Sequence, residues 1–412
     1  MNNNIKFKIP LLRDCHHHPS VYTSLLHSYI LAGKITDKNI LLKNIDDNQD
    51  DITSVAGWDC TKYNLDKEDL NHFNKPVLVC NRSFHRYIVN DIFKEKLYDK
   101  YGDIVINLDK QHWAEKNIFN IMKFLVNIKP FTIEQLEFQF NDMLNNYGIW
   151  YAEDMMLPDL KTLYKYKVLD YIGKRTNIWV EYDIYQKLNK EEQQLIKGIK
   201  VFLDGAFGSY AAAIKEPYLD RPSSSGFLNY TNKEVKELLE NISYLNKPVA
   251  FHNVGDNATD QILDILELIE KNNGKKPKRI RIEHNVFISR ESAIKAKKLH
   301  ITLCMQPNFN YDTIRFNKRI SKDYTNKINP FRMLIDDIQF KPGIDLIFGS
   351  DGMPQGILDS INKALFPPLP SQYLSLEEFQ KGYCVDNFNE GYINLHIKDN
   401  YVNCQININK KM

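Results

Sequence analysis

Side chains that can bind metal ions accompany short apolar runs at several points along the chain. Residues 14–18, Asp-Cys-His-His-His, end the first run, and Lys200, His252, His284 and Asp351 lie in or just after later runs. Imidazole nitrogens and carboxylate oxygens hold the divalent cations that activate water in hydrolytic enzymes. These residue types in these positions therefore predict a metal-dependent hydrolase.

The three adjacent histidines give the first pair of metal ligands. His16 and His18 are two residues apart, so on a strand both side chains point to the same face and can share one ion. His17 points to the other face, and we expect it to support the site instead of binding the metal. The alternative is a polar turn that happens to contain three histidines.

Lys200 lies inside the apolar run 199–203. An amine in such a strand is costly to bury unless something uses it, although a lysine can also extend past the strand end to water. Beside the other motifs we expect Lys200 to be a metal ligand, carboxylated to a carbamate that can bridge two cations. Asp204 has the same parity on the strand and is expected to be a partner of Lys200 or to contact the substrate.

His252 and His284 each follow a β-rich run and precede a polar turn, and Asp351 ends the last run within Ser-Asp-Gly. A single histidine at such a place is often only hydrogen-bonded within the structure, and Ser-Asp-Gly is also ordinary turn chemistry. Two histidines at equivalent strand ends favour metal binding. In that interpretation Asp351 binds the ion and also accepts the proton of the attacking water.

Two further polar residues are candidates for weaker contacts with the substrate. Gln306 ends the run before Pro307, and His85 follows the apolar run 76–80.

The runs that position these residues have the length and composition of buried parallel strands. They cover residues 8–12, 199–203, 248–251, 279–282 and 344–348, with helical stretches such as 232–240 and 256–270 between them. Strand alternating with helix predicts an α/β protein with a parallel sheet. Polar residues at many strand ends favour a (β/α)8 TIM-like barrel over an open doubly wound sheet, whose site lies at one or two crevices.

The composition argues against several other classes of protein. The 412 residues are 43% hydrophobic and 26% charged with a net charge of +2, which gives no case for nucleic acid or a membrane as partner. No apolar stretch is as long as a membrane span and the N-terminus lacks a signal-peptide core, so we expect a cytoplasmic protein.

Six cysteines without a Cys-x-x-Cys pair argue against a disulfide framework and a thiolate zinc site. The common serine-hydrolase, dinucleotide and phosphate-loop motifs are missing from the sequence.

Together these residues resemble the metal-dependent amidohydrolase superfamily, which carries His-x-His on strand 1, lysine on strand 4, histidines on strands 5 and 6 and aspartate on strand 8. The connecting sequence is similar to the N-substituted formamide deformylase-like branch, the family 3 type. The segments that carry this closer resemblance are 57–59, 85–90, 148–154, 199–209, 211–220, 251–256, 281–284 and 348–351.

The resemblance implies one metal-dependent hydrolase barrel over residues 1–412, with strand 2 at 148–154 and strand 3 at 177–182. Residues 45–130 are then a lid-like insertion after strand 1. Relatives wrap the barrel with a β-sandwich built from both termini, whereas here few residues precede the first strand and 388–412 is a short C-terminal tail. The sandwich is therefore expected to be missing or vestigial.

The resemblance also implies the chemistry. One or two divalent ions, most plausibly Zn²⁺, would be held by His16, His18, Lys200, His252, His284 and Asp351, and an activated hydroxide would cleave a small-molecule amide, formamide or cyclic amide at a C–N bond other than a peptide bond. An ester, lactone or phosphoester hydrolase on the same site remains an alternative, because fold does not fix substrate. A metal-binding or regulatory protein without catalysis is the other.

The tail also suggests an assembly. Residues 392–398 alternate as a strand with an exposed edge, and such a strand seeks a partner. We therefore expect a homodimer or a larger homo-oligomer.

Overall fold

The structure, a computed structural model, describes residues 5–409. The strands in that range are, in chain order, β1 (Ile5–Pro10), β2 (Leu12–His17), β3 (Ile30–Leu31), β4 (Thr53–Trp58), β5 (Val77–Asn81), β6 (Tyr87–Val89), β7 (Ile149–Asp154), β8 (Thr176–Val180), β9 (Ile196–Phe202), β10 (Val249–Asn253), β11 (Ile280–His284), β12 (Thr302–Met305), β13 (Leu346–Phe348), β14 (Gly391–Lys398) and β15 (Tyr401–Ile408).

The α-helices in the same range are α1 (Pro19–Ser28), α2 (Lys38–Asp47), α3 (Glu68–Asn71), α4 (Asp91–Tyr101), α5 (Asp103–Asn107), α6 (Gln111–Lys116), α7 (Ile118–Ile128), α8 (Ile133–Tyr147), α9 (Leu160–Leu169), α10 (Tyr182–Lys187), α11 (Lys190–Leu195), α12 (Asn232–Ser243), α13 (Asp256–Lys271), α14 (Arg290–Lys298), α15 (Asp312–Arg315), α16 (Lys322–Thr325), α17 (Ile357–Leu365) and α18 (Leu376–Tyr383).

Eight strands form one parallel sheet in the order β2, β7, β8, β9, β10, β11, β12, β13. The segment after β13 meets β2, because the backbone N–H of Asp351 donates to the carbonyl of His16 at 2.7 Å. Gly349 makes the approach possible, since a Cβ there would lie 2.4 Å from the backbone nitrogen of His16. The sheet is therefore a (β/α)8 TIM-like barrel, as the sequence predicted, and its polar strand ends meet at one rim.

The predicted first barrel strand, residues 8–12, was placed wrongly. Residues 5–10 form β1, which pairs with β14 outside the barrel, and the barrel strand β2 begins only at Leu12. Ile9, Leu11 and Leu12 are all buried. An unbroken apolar run therefore crosses from one sheet to the other, and hydrophobicity alone does not show the boundary.

The termini form a small antiparallel sheet in the order β1, β14, β15. It packs on the barrel through buried residues such as Ile393, Leu395 and Val402, and it agrees with a vestigial sandwich. The exposed strand edge predicted at residues 392–398 is wrong, because β14 is the central strand and pairs on both sides. The homo-oligomer stays a prediction without that support.

The segment between α1 and α8 builds a second layer beside the barrel. It contains a four-stranded sheet in the order β3, β4, β5, β6 and the helices α2 to α7. Buried Val55, Val77 and Val79 form part of its own apolar core. The sheet begins at Ile30, ahead of the expected start at residue 45, because β3 has only two residues and leaves no periodic signal.

Between residues 5 and 409, no helix combines the length with the hydrophobicity needed to cross a bilayer. All six cysteines lie in this range, and each is a free thiol.

Candidate metal centre

His16, His18 and Asp351 meet at the rim of the barrel. The Nε2 atom of His18 lies 3.1 Å from Oδ1 of Asp351, and Nε2 of His16 lies 3.5 Å from the same oxygen. Each residue can offer a ligand atom within 4.8 Å of the others. Two imidazoles and a carboxylate at this separation can hold one divalent cation.

The two later histidines stand beside this group. The ring centre of His284 lies 4.6 Å from that of His16 and 4.4 Å from that of His252. The Nε2 atoms of His252 and His284 are buried, and no described residue hydrogen-bonds them. Buried polar atoms in folded proteins are nearly always paired, so a ligand between the rings would resolve the deficit.

Lys200 completes the cluster from β9. Its side chain is fully buried, and its Nζ atom has no hydrogen-bond partner among the described residues. The ring centre of Phe202 lies 5.0 Å from Nζ. Burial lowers the pKa of Lys200 to about 8.

The electrostatics of the histidines suit a cation. Burial lowers the pKa of His16 and of His252 well below the usual value, and it lowers the pKa of His284 to about 4. The rings are therefore neutral near pH 7, which is the form that binds metal. At Asp351 burial acts to raise the pKa, but the His18 hydrogen bond and the neighbouring histidines outweigh it and lower the pKa.

Two of the candidate ligands have unusual backbone conformations. His284 has a φ of 70° and Asp351 a φ of 56°, both in the left-handed region. Such conformations are uncommon for residues other than glycine, and they cluster at functional sites. His284 is the last residue of β11 and Asp351 follows the end of β13, and both side chains lie beside His16.

Glu283 and Gln306 orient two of the histidines. Nδ1 of His16 lies 2.6 Å from Oε2 of Glu283, and Nδ1 of His284 lies 2.9 Å from Oε1 of Gln306. In each ring Nδ1 is engaged by an oxygen, so Nε2 is left to face the site. Gln306 was expected to contact the substrate, but it does not line the cavity described below.

Glu283 is held in turn by Arg281, and the sequence analysis did not single out either residue. Nε of Arg281 donates to Oε1 of Glu283 at 2.6 Å, and Nη1 donates to Oε2 of Glu153 at 2.7 Å. Burial acts to raise the pKa of Glu283, but the charges of Arg281 and Lys200, with the Arg281 hydrogen bond, together outweigh it and lower the pKa. The signal was the alternation Ile-Arg-Ile-Glu-His over β11, which places two charges on the same face of a fully buried strand.

Other predicted residues have structural partners. Asp204 is buried and accepts hydrogen bonds from the backbone N–H groups of Ala213, Val254 and Gly255 at 2.7 to 3.0 Å. These hydrogen bonds fix the loop after β10, and no described contact joins Asp204 to Lys200. Oδ1 of Asp204 lies 3.9 Å from Nε2 of His252. His17 bonds Gln355 at 2.8 Å through Nε2, on the side away from the cluster.

A cavity of about 350 Å³ opens onto the cluster. His252, His284 and Asp351 line its floor, and the segment between α1 and α8 contributes Trp58 and His85. Nδ1 of His85 lies 2.6 Å from Oε2 of the buried Glu115. The ring of His85 is 5.4 Å from that of His252 between centres. A small molecule in this cavity would therefore lie between the candidate metal ligands and the inserted segment.

The comparison with protein families gives a match over much of the barrel. The model of the amidohydrolase family matches residues 152–363, about half of the chain. The matched range contains Lys200, His252, His284 and Asp351, while the His16 and His18 strand lies outside it. The chain therefore belongs to the amidohydrolase family.

Individual relatives match shorter parts. The chain is 34% identical over 111 residues to protein LONG AFTER FAR-RED 3 of Arabidopsis thaliana, and 30% identical over 129 residues to the putative amidohydrolase YtcJ of Bacillus subtilis. These stretches cover 27% and 31% of this chain but only 19% and 24% of the two relatives.

A solved structure extends the likeness of fold to most of the chain. It is an uncharacterized metal-dependent hydrolase from Pyrococcus furiosus, which matches 91% of this chain and 80% of its own at 22% identity, with a TM-score of 0.64. At this identity the likeness shows the fold.

Proposed function

We propose that this protein is a metal-dependent hydrolase that cleaves a C–N bond other than a peptide bond in a small amide, formamide or cyclic amide. The observation that carries the proposal is a set of buried nitrogen atoms that no described residue hydrogen-bonds, Nζ of Lys200 and Nε2 of His252 and His284. The ring of His284 lies between those of His16 and His252, at 4.6 and 4.4 Å between centres, and the Lys200 charge acts on the pKa of His16. Together with His18 and Asp351, these side chains would hold one or two divalent ions, and we propose Zn²⁺ because nitrogen and oxygen donors suit it.

A bound divalent ion would supply acidity to a water molecule and polarise the carbonyl group of the substrate. Asp351 is the residue placed to move protons, because it lines the cavity and its Oδ1 faces the histidines, while no described residue hydrogen-bonds Oδ2. As an ionised carboxylate it can accept the proton of the attacking water and pass it to the leaving nitrogen.

Lys200 has a different role in this proposal. A free amine with no hydrogen-bond partner in a fully buried position is unfavourable. Reaction of the neutral Nζ amine with CO2 would give a carbamate with release of one proton, and the carbamate oxygens would be available to hold divalent ions beside the unpaired histidine nitrogens. We therefore propose a two-metal site.

Of the residues expected to touch the substrate, His85 is the one that lines the cavity. Glu115 engages its Nδ1 atom, and no described residue hydrogen-bonds Nε2. We propose that Nε2 of His85 contacts the substrate. The formamide deformylase-like branch, the cytoplasmic location and the homo-oligomer remain predictions.

The test is an assay of purified protein that has been stripped with a chelator and reloaded with Zn²⁺ or Mn²⁺. Matched N-formyl, N-acyl, cyclic amide and ester compounds would be compared, because the ester is the main alternative. Amide turnover that depends on added metal supports the proposal, and turnover of esters alone would replace it with the alternative. His18→Ala should abolish the activity, while His300→Ala removes an exposed imidazole far from the cluster and should not.

A further inference from the structure

The cavity above the candidate metal centre also contains charged residues that the proposed chemistry does not use. Arg82 and Arg315 line it, together with the carboxylates of Asp59 and Asp312. Arg82 lies in the short hairpin between β5 and β6 of the inserted segment. Charged groups that line an enclosed site have been removed from much of their water, so each needs a partner.

Most of these cations have a protein partner. Arg315 forms an ion pair with Asp59. Lys363, which also lines the cavity, lies 3.0 Å from Asp359. Arg82 differs from both, because no carboxylate among the described residues lies within ion-pair distance of its guanidinium. Its one hydrogen bond runs from Nη2 to the backbone carbonyl of Met353 at 3.3 Å.

That hydrogen bond connects Arg82 to the metal centre. Met353 is two residues after Asp351, so the guanidinium is fixed to the loop that carries the proposed catalytic carboxylate. Burial, followed by the nearby charge of Arg315, lowers the pKa of Arg82. A guanidinium nonetheless stays charged near pH 7, and four of its five N–H donors remain free for a ligand.

Asp312 is the remaining charged group at the cavity. Burial raises its pKa to about 6, and no ion pair joins it to Arg82 or to Arg315. Asp312 therefore does not accept hydrogen bonds from Arg82. It could accept one from a donor group on a ligand that Arg82 binds.

The walls beside these charges are aromatic. Phe207, Phe309 and Phe316 line the cavity, as does Trp58. Apolar walls strengthen a charge-assisted hydrogen bond by excluding water. They also favour a ligand with a ring or another apolar group over a small inorganic anion.

We propose that Arg82 binds a carboxylate on the substrate, so that the compound hydrolysed is an amide that carries both an apolar group and a carboxylate. The inference rests on the proposed function for the reaction, and it adds the class of substrate. A guanidinium matches the two oxygens of a carboxylate through parallel hydrogen bonds. Neutral amides of the same shape would leave Arg82 unpaired and bind more weakly.

The test measures binding of phenylacetate and of its neutral isostere phenylacetone by calorimetry, since neither compound can be hydrolysed. Phenylacetate should bind roughly 10- to 100-fold more tightly to the metal-loaded protein. The preference for phenylacetate should persist in chelator-stripped protein, because in this proposal Arg82, and not a metal ion, binds the carboxylate.

Arg82→Gln should remove the preference and leave binding of phenylacetone unchanged. Arg82→Lys keeps the positive charge and should retain part of the preference for phenylacetate. This variant separates the loss of charge from misfolding. Arg86→Gln is the matched control, because Arg86 lies in the same hairpin and does not itself line the cavity.

Equal affinity for the two compounds in the unmodified protein would overturn the proposal. So would a preference that survives in Arg82→Gln, or the lack of phenylacetate binding at millimolar concentration. These outcomes do not depend on turnover. A hydrolase that acts on neutral amides would therefore overturn the substrate class alone, and a carboxylate binder without metal-dependent hydrolysis would overturn the reaction alone.

Discussion

The Nδ1 atom of His16 lies 2.6 Å from Oε2 of Glu283, and both side chains are buried. The carboxylate accepts the Nδ1 hydrogen, which fixes the tautomer of the ring and leaves the Nε2 lone pair facing Asp351. A residue of β11, a strand that is not adjacent to β2 in the barrel, therefore sets the direction in which the first proposed ligand binds. The charges of Arg281 and Lys200 contribute to the lowered pKa of that carboxyl group.

Glu283→Gln should weaken metal binding by about 10- to 100-fold, because a neutral amide fixes the His16 tautomer less strongly. The measurement is a competitive titration of zinc against a chelating dye. Glu153→Gln is the control, since it removes the other carboxylate on Arg281 and does not touch His16. Equal zinc affinity in Glu283→Gln and the unmodified protein would show that this carboxylate only neutralises Arg281.

Asp351→Asn should keep bound metal and lose turnover. The amide oxygen can still bind an ion, but the group cannot accept a proton at neutral pH. Metal content and kcat would be measured on the same preparation, with the exposed Asp399→Asn as control. A variant that kept more than about a tenth of kcat, a barrier change under roughly 1.4 kcal/mol, would exclude Asp351 as the base.

Lys200→Ala should lose one equivalent of bound metal if the lysine is carboxylated and bridges two ions. Bicarbonate with a short carboxylic acid should restore part of the loss. The measurement is metal per chain, compared with Lys197→Ala, which removes an exposed amine from the same strand. Unchanged metal content in Lys200→Ala would point to a structural lysine and a single ion.

Glu181 gives a pH dependence of stability away from the metal centre. Burial, with a contribution from Asp183, raises its pKa from 4.5 to about 7. A carboxyl group with a raised folded pKa stabilises the fold when protonated, so its contribution is fully present below its unfolded pKa and is lost as the pH rises toward the folded value.

Glu181→Gln should therefore increase the free energy of unfolding near pH 8, by on the order of 1 kcal/mol because the group is only partly buried, and have little effect near pH 5. Urea denaturation at the two pH values measures the difference, with the exposed Glu191→Gln as control. An effect of the same size at both pH values would contradict the assignment.

Part of the barrel could be predicted from composition, because β9, β10, β11 and β13 each overlap a short apolar run, whereas β7 and β8 were expected only from the family resemblance. Lys200, His252, His284 and Asp351 stood out for the same reason, as charged or titratable side chains in or just after such runs. The structure brings all four together with His16 and His18, which the sequence placed at a strand end through their spacing.

Features that depend on contacts between distant segments could not be predicted. The boundary between β1 and β2 lies inside one apolar run, and only the pairing of β1 with β14 reveals it. Arg82 reaches the cavity because an inserted hairpin packs over the barrel rim. Asp204 shares the parity expected of a ligand, but three backbone N–H groups from two loops engage it.

The most direct test of the proposed function is the metal content of the purified protein, by mass spectrometry after chelation, reloading with zinc and dialysis. At least one zinc ion per chain should remain on the unmodified protein and on His300→Ala, and His16→Ala combined with His18→Ala should lose it. Substoichiometric zinc on the unmodified protein, or equal zinc on the double variant, would contradict a metal centre at this rim of the barrel.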